Sequence, residues 1–218
     1  MIFKDEILFV IPARKGSKRL KGKNLKNFNK KPLILWTIEQ TVRLKSYGST
    51  IVTSDDDAVL KRCSKYKNII INKRPNYLSS DNASLIDVLR YLIKKYQFRG
   101  YLILLQPTSP LKNDEDIING IQLLKQGNKA VMSQNKIQYN SAKLGVNKSG
   151  KKFKKLSNIS YEIYSPNGAF FGASHKWILE NKSFYSNTVT TYEMPLERSI
   201  DIDFEYQFKL AEILARNK

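Results

Sequence analysis

Six cations, Arg14, Lys15, Lys18, Arg19, Lys21 and Lys23, crowd one short segment of this chain together with Gly16 and Gly22. Directly before them, Ile7-Leu8-Phe9-Val10-Ile11 is apolar and β-prone, the pattern of a strand buried on both faces, and Pro12 and Gly16 end it. A loop leaving the carboxyl end of such a strand lies where open α/β sheets bind ligands, and its glycines let backbone N–H groups approach an anion. A polyphosphate suits that loop. The segment is neither a P-loop nor a dinucleotide turn, since it has no Gly-Lys-Ser/Thr at the required spacing and no Gly-x-Gly-x-x-Gly. Charge and glycines alone therefore leave a merely solvated lysine-rich surface as the rival reading. Near the other end, Asp201 and Asp203 stand two residues apart in Ser199-Ile200-Asp201-Ile202-Asp203. Extended backbone would put both carboxylates on one face, where hard oxygen ligands can hold Mg2+ and leave room for water and phosphate. By spacing alone, a plain helix N-cap at Asp203 is the simpler reading.

The elements that must position these groups alternate strand and helix. Pro32 opens a helix carrying Leu33, Trp36, Thr37, Gln40 and Leu44 up to Gly48, and Ser49 to Thr53 follows as a buried strand. Ser54 is read as the N-cap of the next helix, with Asp55, Asp56 and Asp57 at the positive end of its dipole. Asn68 to Ile71 is a short strand. A helix with the apolar face Leu85, Val88, Leu89, Leu92, Ile93 and Tyr96 comes next, capped by Asp81 or a neighbour. Tyr101 to Leu105 reads as a central strand that ends in the rigid polar turn Gln106-Pro107-Thr108-Ser109-Pro110. Asp114 caps a helix closed by Gly127, and Ala130 to Ser133 gives a further strand. From 135 to 165 the pattern weakens. Pro166 to Gly172 returns to a strand, and a last helix runs from about Phe204 to Ala215.

Length and composition bound the answer. At 218 residues the chain fits one α/β domain, 1–218, with a core of its own. The net charge of +19 keeps a non-catalytic basic nucleic-acid-binding protein in view, but its lysines are spread along the chain and no nucleic-acid-binding motif accompanies them. The expected partners therefore include no specific nucleic acid. A single cysteine, Cys63, excludes a disulfide scaffold, and a single histidine, His175, argues against a hydrolase that depends on imidazole. No apolar run reaches membrane-spanning length, so no membrane insertion is expected and a cytoplasmic enzyme is the default.

Five signatures carry a resemblance. Ile11-Pro12-Ala13-Arg14-x-Gly16-Ser17-Lys18 with Lys23-Asn24 and Arg74-Pro75-x-x-Leu78-x-x-Asp81-x-Ala83-Ser84 are the first two. Leu105-Gln106-Pro107-Thr108-Ser109-Pro110-Leu111, Pro166-Asn167-Gly168-Ala169 and Ser199-Ile200-Asp201-Ile202-Asp203 follow in order. Together they resemble the CMP-sialic acid synthetases (acylneuraminate cytidylyltransferases), which activate nine-carbon sugar acids with CTP. The resemblance implies a Rossmann-like, mostly parallel sheet flanked by helices, of the nucleotide-diphospho-sugar transferase type, with 135–165 as a small dimerisation and substrate arm of a homodimer. It implies nucleotide binding by Ala13, Arg14, Gly16, Ser17, Lys18, Lys23, Asn24, Arg74 and Ser84, with Ser54-Asp55-Asp56 as a secondary site. Sugar binding falls to Gln106, Thr108, Ser109, Lys143 and Asn167, and Mg2+ to Asp201 and Asp203. Arg14, Lys23, Asp201 and Asp203 carry the catalysis in this reading. One departure stands out: members often have a basic residue before Pro-Asn-Gly, where this chain has Ser165. That keeps pseudaminic and legionaminic acids open as substrates. The eight-carbon acid KDO is disfavoured, because Gln106 to Pro110 replaces the acidic turn expected for that group. All of this requires the cationic loop and the aspartate pair to meet in space.

Overall fold

A computed structural model describes residues 6–80, 83–138, 145–146, 154–155 and 162–216. In chain order its elements are β1 (Ile7–Pro12), β2 (Asn27–Phe28), β3 (Lys31–Pro32), α1 (Leu33–Arg43), β4 (Ser49–Ser54), α2 (Asp57–Cys63), β5 (Ile69–Lys73), α3 (Leu85–Tyr96), β6 (Tyr101–Leu104) and α4 (Asp114–Lys125). They continue with β7 (Ala130–Lys136), β8 (Gly145–Val146), β9 (Lys154–Lys155), β10 (Tyr164–Ser174), α5 (His175–Glu180), β11 (Thr190–Glu193) and α6 (Glu205–Arg216). Alternation along β1 organises the layers. Leu8 and Val10 face a cluster with Leu89 and Leu92 of α3 and Trp177 and Ile178 of α5. Phe9 and Ile7 face Ile117 and Ile121 of α4, while Ile11 meets Ile34 and Ile38 of α1. All five β1 residues from Ile7 to Ile11 are buried, each worth about 1.5–3 kcal/mol relative to exposure. A helix layer therefore covers each face of the sheet.

The seven-stranded sheet runs β11-β7-β10-β6-β1-β4-β5. β4 and β6 flank β1 in parallel, β5 lies parallel to β4, and β11 parallel to β7. Only β10 is antiparallel to its neighbours β6 and β7. Chain order reverses at β1, and open α/β sheets place ligands in the crevice at the carboxyl ends beside such a reversal. Along β10 the pairing with β7 shifts register between Pro166 and Phe171, a bulge that contains Asn167 and Gly168.

Local capping corrects three sequence readings. Asp56, not Ser54, caps α2, accepting from Ala58 N at 3.0 Å. The Ser54 hydroxyl turns inward to the Ala13 carbonyl, because the loop after β1 leaves a buried acceptor there. Asn113, not Asp114, caps α4, in a capping box with Asp116. Pro32 is itself the N-cap of α1 and Leu33 its first helical residue, so the ring sits one position earlier than expected. Asp81 lies outside the described residues, and the α3 cap is Ser84. Cys63 is buried, and burial pushes its thiol up to about 12, consistent with a packed, unreactive side chain.

Candidate active site

The loop after β1 is held from beneath before it reaches solvent. Ala13 N donates to Thr53 O at 3.0 Å, Lys15 N donates to Asp55 Oδ1 at 2.9 Å, and Asn24 Nδ2 donates to Arg14 O at 3.2 Å. Gly22 takes a left-handed conformation at φ 64°, which turns the chain into a 3-10 segment over Lys23–Leu25. That turn aims Lys23 at the other end of the chain. Its Nζ donates to Ile202 O at 2.6 Å and to Asp203 Oδ1 at 3.1 Å. Arg19 Nη1 donates to Asp203 Oδ2 at 2.6 Å, with its guanidinium 5.1 Å from the Phe204 ring. The cationic loop and the aspartate pair thus form one wall.

A cleft of about 570 Å³ opens beside that wall. Arg14, Ser17, Lys18, Lys23, Asn24 and Arg74 line it, joined by Gln106, Thr108, Tyr185, Asp201 and Asp203. Arg74 leaves the end of β5 and is only 3% exposed, with Nη2 donating to Thr53 O at 2.8 Å. Burial pulls its guanidinium down to about 10, Asp55 opposes that, and neighbouring Arg14 adds to it. Two arginines held this close repel each other, and an anion between them would relieve that repulsion.

Asp201 carries opposing influences. Burial raises its pKa, Asp203 adds to the rise, and Thr108, Lys23 and Lys112 act against it. Its Oδ1 and Thr108 Oγ1 are both buried without a well-aligned hydrogen bond, although the Thr108 hydroxyl is near enough to Asp201 to favour its ionised form. A carboxylate oxygen without a well-aligned partner, with a second carboxylate two residues on, fits a hard cation that takes its remaining ligands from phosphate and water. Asp203 enters this set already paired with Arg19 and Lys23. Among the described residues no group of three or more His, Cys, Asp or Glu side chains could hold a metal, so the two aspartates are the whole acidic donor set there.

The aspartate loop rests on a buried scaffold. Ile202 N donates to Thr108 O at 2.8 Å, Ser109 Oγ donates to Asn167 O at 3.2 Å, and Asn167 Nδ2 donates to Ser199 Oγ at 2.9 Å. Arg198 grips Asp116 through two contacts of 2.9 Å. Gly168 has φ 73°, and a Cβ there would lie 3.1 Å from both Asp201 Oδ2 and Ser109 Oγ. Gly168→Ala is therefore expected to cost about 1–2 kcal/mol of stability through backbone strain, measurable by denaturant unfolding. The crowding displaces the Asp201 carboxylate, so activity should fall at least about tenfold; a variant as active as the parent would show that the contact does not set its position.

The geometry sorts the residues expected from sequence. Arg14, Ser17, Lys18, Lys23, Asn24, Arg74, Gln106, Thr108, Asp201 and Asp203 converge on the cleft. Ala13 is buried beneath Arg14, and Gly16 has open space around it rather than a close approach. Ser109 and Asn167, expected to meet the sugar, are instead buried beneath the cleft at 0% and 2% exposure with their side chains bonded to protein atoms. Ser84, expected on the nucleotide, stands between the cleft-lining Ala83 and Leu85, and its hydroxyl caps α3. Ser165 is half-buried in β10 opposite Asn135. Lys143 and most of 135–165 lie outside the described residues. Sequence reasoning missed Tyr185, which lines the cleft and whose pKa is raised by burial and by Asp201. It also missed Lys112, buried under the turn after β6. Neither carries a local signal, since an isolated tyrosine or lysine reads as surface by default.

A family model described as cytidylyltransferase matches residues 8–217. An N-acylneuraminate cytidylyltransferase of Escherichia coli O18:K1:H7 is 30% identical over 224 residues, covering 99% of this chain and 53% of that protein. The chain thus spans about half the length of that relative. A CMP-N,N'-diacetyllegionaminic acid synthase of Legionella pneumophila is 33% identical, covering 95% of each. A solved CMP:2-keto-3-deoxy-manno-octonic acid synthetase complexed with CTP superposes with a TM-score of 0.73 at 18% identity, over 98% of this chain and 99% of that one, a likeness of fold. The matched span includes every strand of the main sheet but the first residue of β1, together with the residues lining the cleft, and on that ground the chain belongs to the cytidylyltransferase family.

Proposed function

We propose that this protein is a nucleotidyltransferase that activates a nonulosonic, sialic-acid-like sugar acid with CTP, giving a CMP-sugar and pyrophosphate. The observation that carries the reading is the meeting of Lys23 and Arg19 with Ile202 and Asp203 at the cleft, which brings phosphate-binding cations and paired carboxylates to one place. In the reaction the anomeric hydroxyl oxygen of the acid bonds to the α-phosphorus, and the bond from that phosphorus to the β-bridging oxygen breaks. Negative charge grows on the departing pyrophosphate. Arg14 and Lys23, with Lys18 beside them, neutralise it from positions set before substrate arrives. Asn24 and Arg74 hold the nucleotide on the same side, and Gln106, Thr108 and Tyr185 face the acid.

The donor set supports Mg2+ held by Asp201 and Asp203, which would neutralise phosphate charge and acidify the attacking hydroxyl. In this reading the Asp201 carboxylate takes the hydroxyl proton, directly or through water. The 135–165 segment belongs to this reading as a subunit arm. In its support, β7 and β10 stay paired from Gln134 to Lys136 and Ile137 N donates to Ile163 O at 2.8 Å, so a two-stranded ribbon leaves the sheet toward it. Among the described residues no helix is long and apolar enough to cross a membrane; a cytoplasmic homodimer completes the proposal.

Pyrophosphate release from CTP, measured across N-acetylneuraminic, legionaminic, pseudaminic and KDO acids, tests the function. Release should need both an acid and Mg2+, and one nine-carbon acid should exceed KDO by at least about tenfold in kcat/KM, the scale set by differential contacts in a built pocket. No release with any of these acids would sink the reading.

A further inference from the structure

A lysine with 3% exposure sits behind the acceptor side of the cleft, immediately after the turn that ends β6. Lys112 Nζ donates to Ser109 O at 2.8 Å, to Gln106 O at 3.1 Å and to Thr37 Oγ1 at 3.2 Å. An ammonium has three donors, and here each finds an oxygen. The Lys112 carbonyl accepts from Gln40 Nε2 at 2.6 Å. Thr37 and Gln40 both belong to α1, so Lys112 staples the turn to that helix from side chain and backbone together.

An apolar residue of the same length would fill this space without the desolvation cost of a buried charge. What the ammonium adds is direction. Two of its three bonds close on carbonyls of one turn, at residues 106 and 109, and hold those two oxygens in a fixed relation. The same turn supplies the Thr108 carbonyl that receives Ile202 N and the Ser109 hydroxyl that reaches Asn167, so it is the junction between the acceptor side and the aspartate loop. Burial pushes the ammonium down to about 7, while Asp201 and Asp116 pull it back up, and its three acceptors favour the charged form.

We propose that Lys112 is a positioning residue for the acceptor side: it holds the turn at residues 106–109 in shape and thereby aims Gln106 and Thr108 at the sugar acid. This rests on the sugar-acid reading above. The nucleotide side is built from the loops after β1 and β5, which Lys112 does not touch in these bonds, so the two substrates should respond differently.

The test compares Lys112→Met, Lys112→Arg and Thr37→Val with the parent protein. In Lys112→Met the KM for the sugar acid should rise at least about tenfold with the KM for CTP within about threefold, a split that a general loss of fold would not produce. Lys112→Arg keeps N–H donors and should recover most of the loss. Backbone amides of residues 105–111 should exchange at least about tenfold faster in Lys112→Met while those of β1 keep their protection. Thr37→Val removes one acceptor without opening the turn and should raise the acid KM by about threefold, so it carries the test if Lys112→Met does not fold. The proposal is overturned if both KM values rise together, if neither moves, or if exchange at the turn is unchanged. Failure of the parent protein to turn over any acid would strike the functional reading instead, and the exchange comparison would still decide what Lys112 does.

Discussion

Asp201→Asn should lower kcat by about 10³-fold, some 4 kcal/mol of transition-state stabilisation, while melting no lower than the parent protein. The first half follows from geometry: the Asp201 carboxylate lines the cleft, near Lys23 and with Asp203 two residues on. The amide keeps the shape but loses the charge that holds a cation and the basicity that takes a proton. The second half follows from linkage. Burial first, and Asp203 next, raise the folded pKa of Asp201 above its unfolded value. A carboxyl shifted that way contributes stability that is fully present in acid and lost as pH rises through its folded pKa, so at neutral pH the ionised group is a cost. Removing it should leave the melting temperature unchanged or higher, a trade of stability for activity common at working sites. A variant within about tenfold of the parent's kcat would show that Asp201 neither holds the cation nor takes the proton, and one that melts several degrees lower would show that its ionised form is not a cost to the fold.

Lys23→Met should be nearly as damaging, with kcat down by about 10²–10³-fold, the usual cost of deleting one preorganised group aimed at developing charge. Methionine keeps the length and apolar stem of the side chain, so the packing against the loop is spared. The substitution removes an ammonium that donates to Ile202 O and Asp203 Oδ1 from a side chain only 11% exposed. Charge on the leaving pyrophosphate is greater in the transition state than in bound CTP, so kcat should suffer more than the KM for CTP. A rise in KM alone would mean that Lys23 merely binds nucleotide.

Much of the scaffold was legible in the residues. The five-residue apolar run before Pro12 reads as a doubly buried strand because both its faces are apolar, and β1 has a core on each side. Helix faces such as that of α3 were equally plain from their 3.6-residue period, since periodicity is a local property. Capping was less so. Ser54, Asp55 and Asp56 are all competent caps, and the choice fell to Asp56 because Ser54 is drawn to the Ala13 carbonyl 41 residues away. The fates of Ser109 and Asn167 were illegible for the same reason. Short polar residues in a turn at a strand end can face a ligand or hold the floor beneath it, and only partners distant in sequence decide between them.

By itself, then, the chain's order of residues determined the alternating strands and helices, the cation-rich loop after β1 and the presence of a closely spaced aspartate pair, because each depends on neighbours within a turn or a strand. Only the tertiary structure decided that Lys23 touches Asp203 across 180 positions, that one oxygen of Asp201 is buried, and that Lys112 lies under the floor instead of in water. Burial, and with it the strength of a charge, is a property of everything packed around a group, and the residues packed around these come from strands and helices far apart in the chain.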